Sequence, residues 1–115
     1  MPDGCIFCKM VNGELQTKIV FEDKMIIAIE DINPQAPVHL LLIPKKHIST
    51  TMGIEKEDNE ILSALFQSAK HLAKEKHIDE SGFRIVLNCN EGAGQSVFHI
   101  HFHMLGGRRM TWPPG

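Results

Sequence analysis

The sequence of 115 residues lacks several features that define large classes of protein. No apolar run approaches the roughly 20 residues that span a bilayer, and the first residues show no charged stretch followed by an apolar one. Lysines and arginines are scattered and the formal net charge is −2, so no basic patch indicates a nucleic-acid or membrane surface. We therefore expect a cytoplasmic protein with a small-molecule ligand and no nucleic-acid or membrane partner.

Cysteine is also scarce, with only Cys5, Cys8 and Cys89 in the chain. An odd number of cysteines without an export signal does not indicate a disulfide framework. The spacing Cys5-x-x-Cys8 is typical of metal ligands or of a redox pair. Because no thioredoxin-like strand, helix and strand pattern follows it, the spacing favours metal ligation.

The hydrophobic content of 43% is sufficient for one core, which predicts a single domain over residues 1–115. Apolar spacing predicts two helices, over 5–11 and 54–76, and strands over 18–22, 25–29, 38–43, 83–87 and 98–105. Short links between strands, with one long helix between the third and fourth, favour an α+β fold with an antiparallel sheet of about five strands.

Three histidines alternate with apolar residues in the segment His99-Ile100-His101-Phe102-His103. On a β-strand alternate side chains share a face, so the histidines would form a row with about 6.6 Å between neighbours. The apolar residues would then face the core and leave the imidazoles for a ligand, a helix or water. Such a row fits either metal ligation or nucleophilic attack beside protonated neighbours.

A glycine-rich loop over residues 88–96 precedes the histidine segment and bears on this choice. Its end, Gly92-Ala93-Gly94-Gln95-Ser96, offers backbone N–H groups that can approach an anion closely, together with a hydroxyl. Donors of this kind suit a phosphate. The combination favours phosphorus chemistry, in which a histidine attacks the α-phosphorus of a nucleoside 5′-phosphate derivative.

The segment from His99 to Leu105 resembles the His-x-His-x-His pattern of the histidine triad proteins, in which x is apolar. The resemblance covers nearly the whole chain and is closest to the Hint branch, on the stretches 21–23, 31–37, 43–48, 94–97, 106–108 and 112–115, and on His39. It implies the histidine triad fold, with one long helix and a short N-terminal helix. It also implies a two-fold homodimer in which the tail, residues 108–115, reaches the partner.

The same resemblance implies a hydrolase that cleaves the P–N bond of purine nucleoside 5′-phosphoramidates. His101 would be the nucleophile and form a nucleotidyl-histidine, while His103 and His39 would hold phosphate oxygens or orient the nucleophile. Asp31 would bind the ribose. The rest of the nucleotide site would comprise Ile32, Asn88, Gly94, Gln95 and Ser96 at the sugar and phosphate, Ile6, Phe7, Leu15 and Ile29 at the purine, and Trp112 from the tail. An acid for the departing amine would be a neighbouring histidine or Ser96.

Relatives in the wider family that bind metal use two cysteines, a histidine after Pro-Lys-x and the first histidine of the triad. The resemblance therefore implies a structural zinc on Cys5, Cys8, His47 and His99, four ligands of the kind that zinc takes in a closed tetrahedral site. The chemistry itself would need no metal.

Three other functions stay open at this point. One is a dinucleoside polyphosphate hydrolase of the same family, although that branch usually continues into a Pro-Arg pair where this chain has Gly106-Gly107-Arg108. Another is a nucleotide-binding adaptor with residual catalysis. The third is a zinc enzyme with His99 and His101 as ligands, which would need a third protein ligand and an open position.

Overall fold

The computed structural model describes residues 4–115 and contains a five-stranded sheet with one long and one short helix. The helices are α1 (Ile6–Val11) and α2 (Asn59–Glu75), and the strands are β1 (Ile19–Glu22), β2 (Ile26–Glu30), β3 (Val38–Pro44), β4 (Phe83–Val86) and β5 (Phe102–Gly106). The strand order is β1-β2-β3-β5-β4, and every pair is antiparallel. The predicted α+β architecture is confirmed.

Strand alternation divides the core between the two faces of the sheet. Even-numbered residues of β2 and β3, such as Ala28 and Leu42, are buried against α2. Odd-numbered residues, such as Ile27 and Leu41, are buried on the opposite face with Phe7 of α1. Both strands are therefore apolar along most of their length because neither face is open to solvent.

The long helix begins later than its apolar periodicity predicts. Residues 51–53 and 56–58 form two 3₁₀ turns, and α2 starts only at Asn59. Glu55 and Asp58 cap each other reciprocally, with Glu55 N–H donating to Asp58 Oδ2 at 2.9 Å. This capping box fixes a boundary before the regular helix, so the prediction of a helix from Ile54 was wrong at its start.

The histidine strand is also shorter than predicted, since its pairing with β3 begins at Phe102 rather than at Phe98. The register pairs Leu42 with Phe102, which would place Pro44 opposite Ile100. Proline has no N–H to continue the ladder, and Ile100 N–H donates to Ile48 O at 2.8 Å instead. His103 therefore lies on the strand, whereas His99 and His101 lie on the segment that leads into it.

Most of the other element boundaries differ by one residue from the predicted ones. Between β1 and β2 the side chain of Asp23 accepts hydrogen bonds from the N–H groups of Met25 and Ile26, both at 2.8 Å. This turn delays β2 by one residue relative to the prediction. Within residues 4–115 no helix combines the length and the apolar character needed to cross a membrane.

Candidate active site and metal site

Two groups of cysteine, histidine and aspartate side chains come together in residues 4–115. In each group the candidate ligand atoms all lie within 4.8 Å of one another. The first group comprises Cys5, Cys8, His47 and His99, and the second comprises Asp31, His39 and His103. The first group is the set that the sequence predicted to hold zinc.

Four segments converge to build the first group. Cys5 is the N-cap of α1, and Cys8 N–H donates to its Sγ at 3.4 Å, so one helical turn places both sulfurs on the same side. His47 follows β3 and His99 precedes β5. Their Nδ1 atoms are 3.1 Å apart, with Cys5 Sγ 3.4 Å from His99 Nδ1 and Cys8 Sγ 3.4 Å from His47 Nδ1.

The hydrogen-bond partner of Nε2 in each imidazole determines whether Nδ1, which faces the sulfurs, carries a hydrogen. His99 Nε2 lies 2.7 Å from Pro44 O, and a carbonyl can only accept, so Nε2 carries the hydrogen and Nδ1 presents a lone pair. His47 Nε2 lies 3.1 Å from Ser49 Oγ, which allows the same arrangement. Orientation of ligating histidines by such outer partners is typical of metal sites.

The donor set fits zinc. Bond lengths of about 2.3 Å to sulfur and about 2.0 Å to nitrogen imply spacings of about 3.3–3.8 Å between tetrahedral ligands. The observed spacings of 3.1–3.6 Å are close to this range. Burial, and then the neighbouring Cys5, raises the pKa of Cys8 to about 11. A thiol in this state is a poor redox nucleophile, and a bound cation is what would favour its thiolate form.

The second group is not arranged for a metal. Gln35 N–H donates to His39 Nδ1 at 3.0 Å, so the hydrogen of that imidazole is on Nε2. His39 Nε2 in turn donates to His103 Nδ1 at 2.9 Å, with Asp31 Oδ2 at 3.4 Å from the same nitrogen. His39 therefore has no lone pair free for a cation, and His103 is left with its hydrogen on Nε2.

His101 has the opposite arrangement to His103. Its Nδ1 lies 2.9 Å from His99 O and must donate to it, which leaves a lone pair on Nε2. Phe7 packs against the ring edge to face at a centroid distance of 5.0 Å. Burial lowers the pKa of His101 and of His103 below the usual histidine value, so both imidazoles are neutral at pH 7. His101 therefore offers a nucleophilic nitrogen and His103 offers a donor.

A cavity of about 270 Å³ lies beside these two histidines. Its lining includes eight of the residues predicted for the nucleotide site, namely Ile6, Phe7, Ile29, Asp31, Ile32, Ser96, His101 and His103. Met10, Glu30, Leu41 and Val97 also line it and were not predicted. Ile32 is fully exposed at its rim, and Asp31 Oδ1 is held by Asn33 N–H at 2.8 Å.

Other predicted residues lie outside that lining. Leu15 is partly exposed after α1, Asn88 is half-buried, and Gly94 has a left-handed φ of +91°. His39 reaches the cavity only through its bond to His103. Trp112 is 82% exposed on the tail, away from the cavity of its own chain. The structure thus brings His101, His103, Asp31 and Ser96 together at the cavity. The tail with Trp112 is not part of the lining.

The side chain of Gln95 forms its hydrogen bonds within the protein. Its side chain is buried, and its amide donates to Ser49 O at 2.8 Å and to Val97 O at 3.0 Å while accepting from Asn90 N–H at 2.7 Å. These bonds hold the loop that carries Ser96. Sequence reasoning missed Ser49, which contacts both Gln95 and His47, because a serine in a turn gives no signal of its own.

The chain is similar to known proteins along nearly its whole length. The family model for the "Scavenger mRNA decapping enzyme C-term binding" region matches residues 4–111. A 14 kDa zinc-binding protein of Brassica juncea is 46% identical over 112 residues, covering 96% of this chain and 98% of that protein. An uncharacterized HIT-like protein of Synechocystis is 44% identical over the full length of both chains. The crystal structure of a HIT family hydrolase from Legionella pneumophila has a TM-score of 0.95 and 54% identity, covering 97% of this chain and all of that one.

Proposed function

Since this chain belongs to the histidine triad (HIT) family, with its nucleotide-binding, hydrolase-like fold, we propose that it cleaves the P–N bond of purine nucleoside 5′-phosphoramidates. The reaction releases a nucleoside monophosphate and an amine. This activity is the one expected of the Hint branch, to which the chain's glycine-rich turn after the triad and its Trp-Pro-Pro-Gly tail are similar.

The observation that carries the proposal is the 2.9 Å contact between His101 Nδ1 and His99 O, from which the tautomer of His101 follows. Because Nδ1–H is committed to His99 O, the lone pair of Nε2 is available beside the cavity that Asp31 and Ser96 line. Attack by Nε2 on phosphorus forms the N–P bond of a nucleotidyl-histidine and breaks the bond to the amine. Water then attacks the same phosphorus and regenerates His101, so one difficult displacement becomes two easier ones.

The neighbouring groups have complementary tasks in this reaction. His103 Nε2–H donates to a phosphate oxygen, and the bond from His39 keeps its hydrogen on that nitrogen. Asp31, whose side chain is partly exposed and lines the cavity, accepts from the ribose hydroxyls. Ser96, whose hydroxyl is in the lining, passes a proton to the departing amine, and the water that attacks in the second step returns a proton to Ser96.

The zinc that the four-residue cluster fits has no step in this chemistry. When bound, it supplies a structural cross-link between α1 and the segments that precede and follow the core strands. Cys5 and Cys8 would hold it from α1, and His47 and His99 from the other two segments. The triad histidine that does the chemistry is His101, which is not part of this cluster.

The test is turnover of adenosine 5′-phosphoramidate, followed as release of AMP. We expect hydrolysis of this substrate to be much faster than hydrolysis of a dinucleoside polyphosphate under the same conditions. Rapid quenching with substrate labelled at phosphorus should trap the label on a histidine. Preference for the dinucleoside polyphosphate would assign the chain to the alternative hydrolase, and binding of AMP without turnover of either compound would favour the adaptor.

We further propose that the active unit is a two-fold homodimer. Supporting it, Phe66 on α2 is 56% exposed and Phe83 on the edge strand β4 is 37% exposed, which is costly for large apolar side chains. The 82% exposed Trp112 would be covered if the tail lay at the partner's active site.

Deleting residues 112–115 should therefore preserve the dimer while changing the specificity constant across a series of amine leaving groups. Sedimentation at micromolar concentration measures the first effect and steady-state kinetics the second. A wild-type monomer, or unaltered kinetics for every amine in the truncated protein, would contradict the proposal.

A further inference from the structure

Two hydrogen-bonded connections join the metal cluster to the site of the proposed reaction. The first is the backbone of His99, whose side chain is in the cluster and whose carbonyl accepts from His101 Nδ1 at 2.9 Å. The ring of His99 is completely buried and is fixed on its far side by Pro44 O. A movement of His99 that includes its backbone therefore displaces the carbonyl that sets the tautomer of the nucleophile.

The second connection runs through His47 and Gln95. His47 Nε2 lies 3.1 Å from Ser49 Oγ, and Ser49 O accepts from the amide of Gln95 at 2.8 Å. Gln95 is 5% exposed and also holds Asn90 N–H and Val97 O. The loop that presents Ser96 to the cavity is thus held, through one buried amide, against the turn that carries a metal ligand.

A bound cation would hold the cluster in one geometry. His99 Nδ1 presents a lone pair, with His47 Nδ1 at 3.1 Å and Cys5 Sγ at 3.4 Å, so three possible metal-ligand atoms lie close together. Without a metal they can share only thiol or imidazole hydrogens, which fix a less definite geometry than four metal bonds. Both connections begin at imidazoles whose position depends on this cluster.

We propose that His99 and His47 are positioning residues for the proposed reaction, and that metal loading is coupled through them to the orientation of His101 and of the Ser96 loop. The inference rests on the proposed function only for its effect on kcat. The coupling between the two sites can be measured by ligand binding alone. Coupling of this kind is reciprocal, so a ligand in the phosphate site must also perturb the metal.

The first experiment uses that reciprocity. Protein loaded with Co²⁺ in place of zinc is titrated with AMP, and the visible d–d absorption bands of the cobalt are recorded. We expect the bands to shift with a saturation curve that matches AMP binding measured by calorimetry. A cobalt spectrum that is unchanged at saturating AMP would overturn the coupling.

The second experiment removes the metal and measures the effect on the tautomer of the nucleophile, His101. Long-range ¹H–¹⁵N spectra of the imidazoles should show His101 with its hydrogen on Nδ1 in the zinc-loaded protein, and a mixture of both tautomers after the zinc is removed by a chelator. The value of kcat should fall by about tenfold and return when zinc is restored. Metal-free protein that remains folded, with His101 in a single tautomer and full kcat, would show that the cluster has a structural role only.

Site variants distinguish an effect of the second connection, through Ser49 and Gln95, from a loss of stability of α1. Ser49→Ala keeps all four metal ligands and should lower kcat several-fold, leave KM nearly unchanged and weaken the cobalt response to AMP. Thr50→Ala is its matched control, because Thr50 Oγ1 caps the next turn instead, accepting from Met52 N–H at 3.2 Å. Cys5→Ser should lose the metal and Cys89→Ser should keep it. Equal behaviour of Ser49→Ala and Thr50→Ala would remove the second connection.

The outcomes also distinguish this inference from the proposed function. A protein whose cobalt spectrum responds to AMP, but which hydrolyses no phosphoramidate, retains the coupling and loses the reaction. A phosphoramidate hydrolase whose cobalt spectrum ignores AMP retains the reaction and loses the coupling.

Discussion

The face of the sheet that carries α2 is covered by buried aliphatic side chains, whereas the face that carries α1 combines a smaller apolar cluster with histidines and cysteines. The α2 face is held together by burial of apolar surface, since Leu65, Ala69 and Leu72 pack on even-numbered strand residues. The α1 face is held together by hydrogen bonds and by the contacts of its cysteine and histidine side chains. A helix of six residues such as α1 is too short to be stable alone, so its position depends on Phe7 and on the cluster at its N-terminus.

This difference allows stability and chemistry to be assigned to different faces. Apolar packing tolerates changes of shape that keep volume, but a hydrogen bond that fixes a tautomer depends on single atoms. We therefore expect substitutions on the α2 face to change the free energy of unfolding. Substitutions on the α1 face should change turnover.

The largest effect is expected for His101→Ala, which removes the nucleophile from the α1 face. Turnover of adenosine 5′-phosphoramidate should fall by at least about 10³-fold, because no other lone pair is held in the same place. Calorimetry should still detect AMP binding, and circular dichroism should show the native fold. His71→Ala, which removes a solvent-exposed histidine of α2, is the control and should keep full activity. Near wild-type turnover in His101→Ala would exclude His101 as nucleophile.

On the α2 face the corresponding change is Leu72→Ala. Leu72 is fully buried, and its truncation should lower the free energy of unfolding by about 2–5 kcal/mol through lost burial and the cavity that remains. Urea denaturation measures this loss. In the folded variant kcat should match that of wild type. A fall in kcat comparable to that of His101→Ala would show that the two faces are not separable.

The same comparison explains which parts of the molecule could be predicted from sequence. The period of two in β2 and β3 and the apolar stripe of α2 determine side-chain faces locally, so the α2 face was predictable in outline. The start of α2 was not, because the capping box of Glu55 and Asp58 interrupts a periodicity that continues through it.

On the α1 face the sequence supplied the identity of the groups but not their bonds. The pattern of His99, His101 and His103 predicted a row on one strand, whereas the pairing partner Pro44 ends the ladder before His101. The roles of Pro44 O, His99 O and Ser49 depend on backbone geometry between distant segments. A sequence pattern carries no record of which carbonyl a buried imidazole faces.

A smaller effect, and a gain, is expected at the end of α2. His77 N–H donates to Lys74 O and Ile78 N–H to Ala73 O, which is the Schellman arrangement, and it places His77 in the left-handed region at φ +60°. His77→Gly should therefore raise the free energy of unfolding by about 0.5–1 kcal/mol, because glycine adopts this conformation without strain. Urea denaturation measures the gain, and kcat should not change. His77→Ala is the control, and equal gains in both variants would show that strain at this φ is not the cause.

The smallest effect expected is a change in the pH dependence of stability at Asp58, beside the start of α2. The N–H of Glu55 and then the ammonium of Lys46 hold the pKa of this carboxyl below its ordinary value. The folded state therefore binds the proton more weakly than the unfolded state. This contribution to stability is present above the ordinary aspartate pKa of about 3.9, and is lost as the pH falls through the lower pKa of the folded state.

Asp58→Asn cannot titrate and lacks this contribution at every pH. The difference in unfolding free energy between wild type and Asp58→Asn should thus be largest near neutral pH and should shrink steadily below about pH 4. Both proteins carry the same metal cluster, so loss of metal in acid cancels in that difference. Asp79→Asn, at an exposed position, is the control and should show no such trend. A difference that stays constant from pH 6 to the acid limit would show that the Asp58 carboxylate holds the helix start by hydrogen-bond geometry alone and not by its charge.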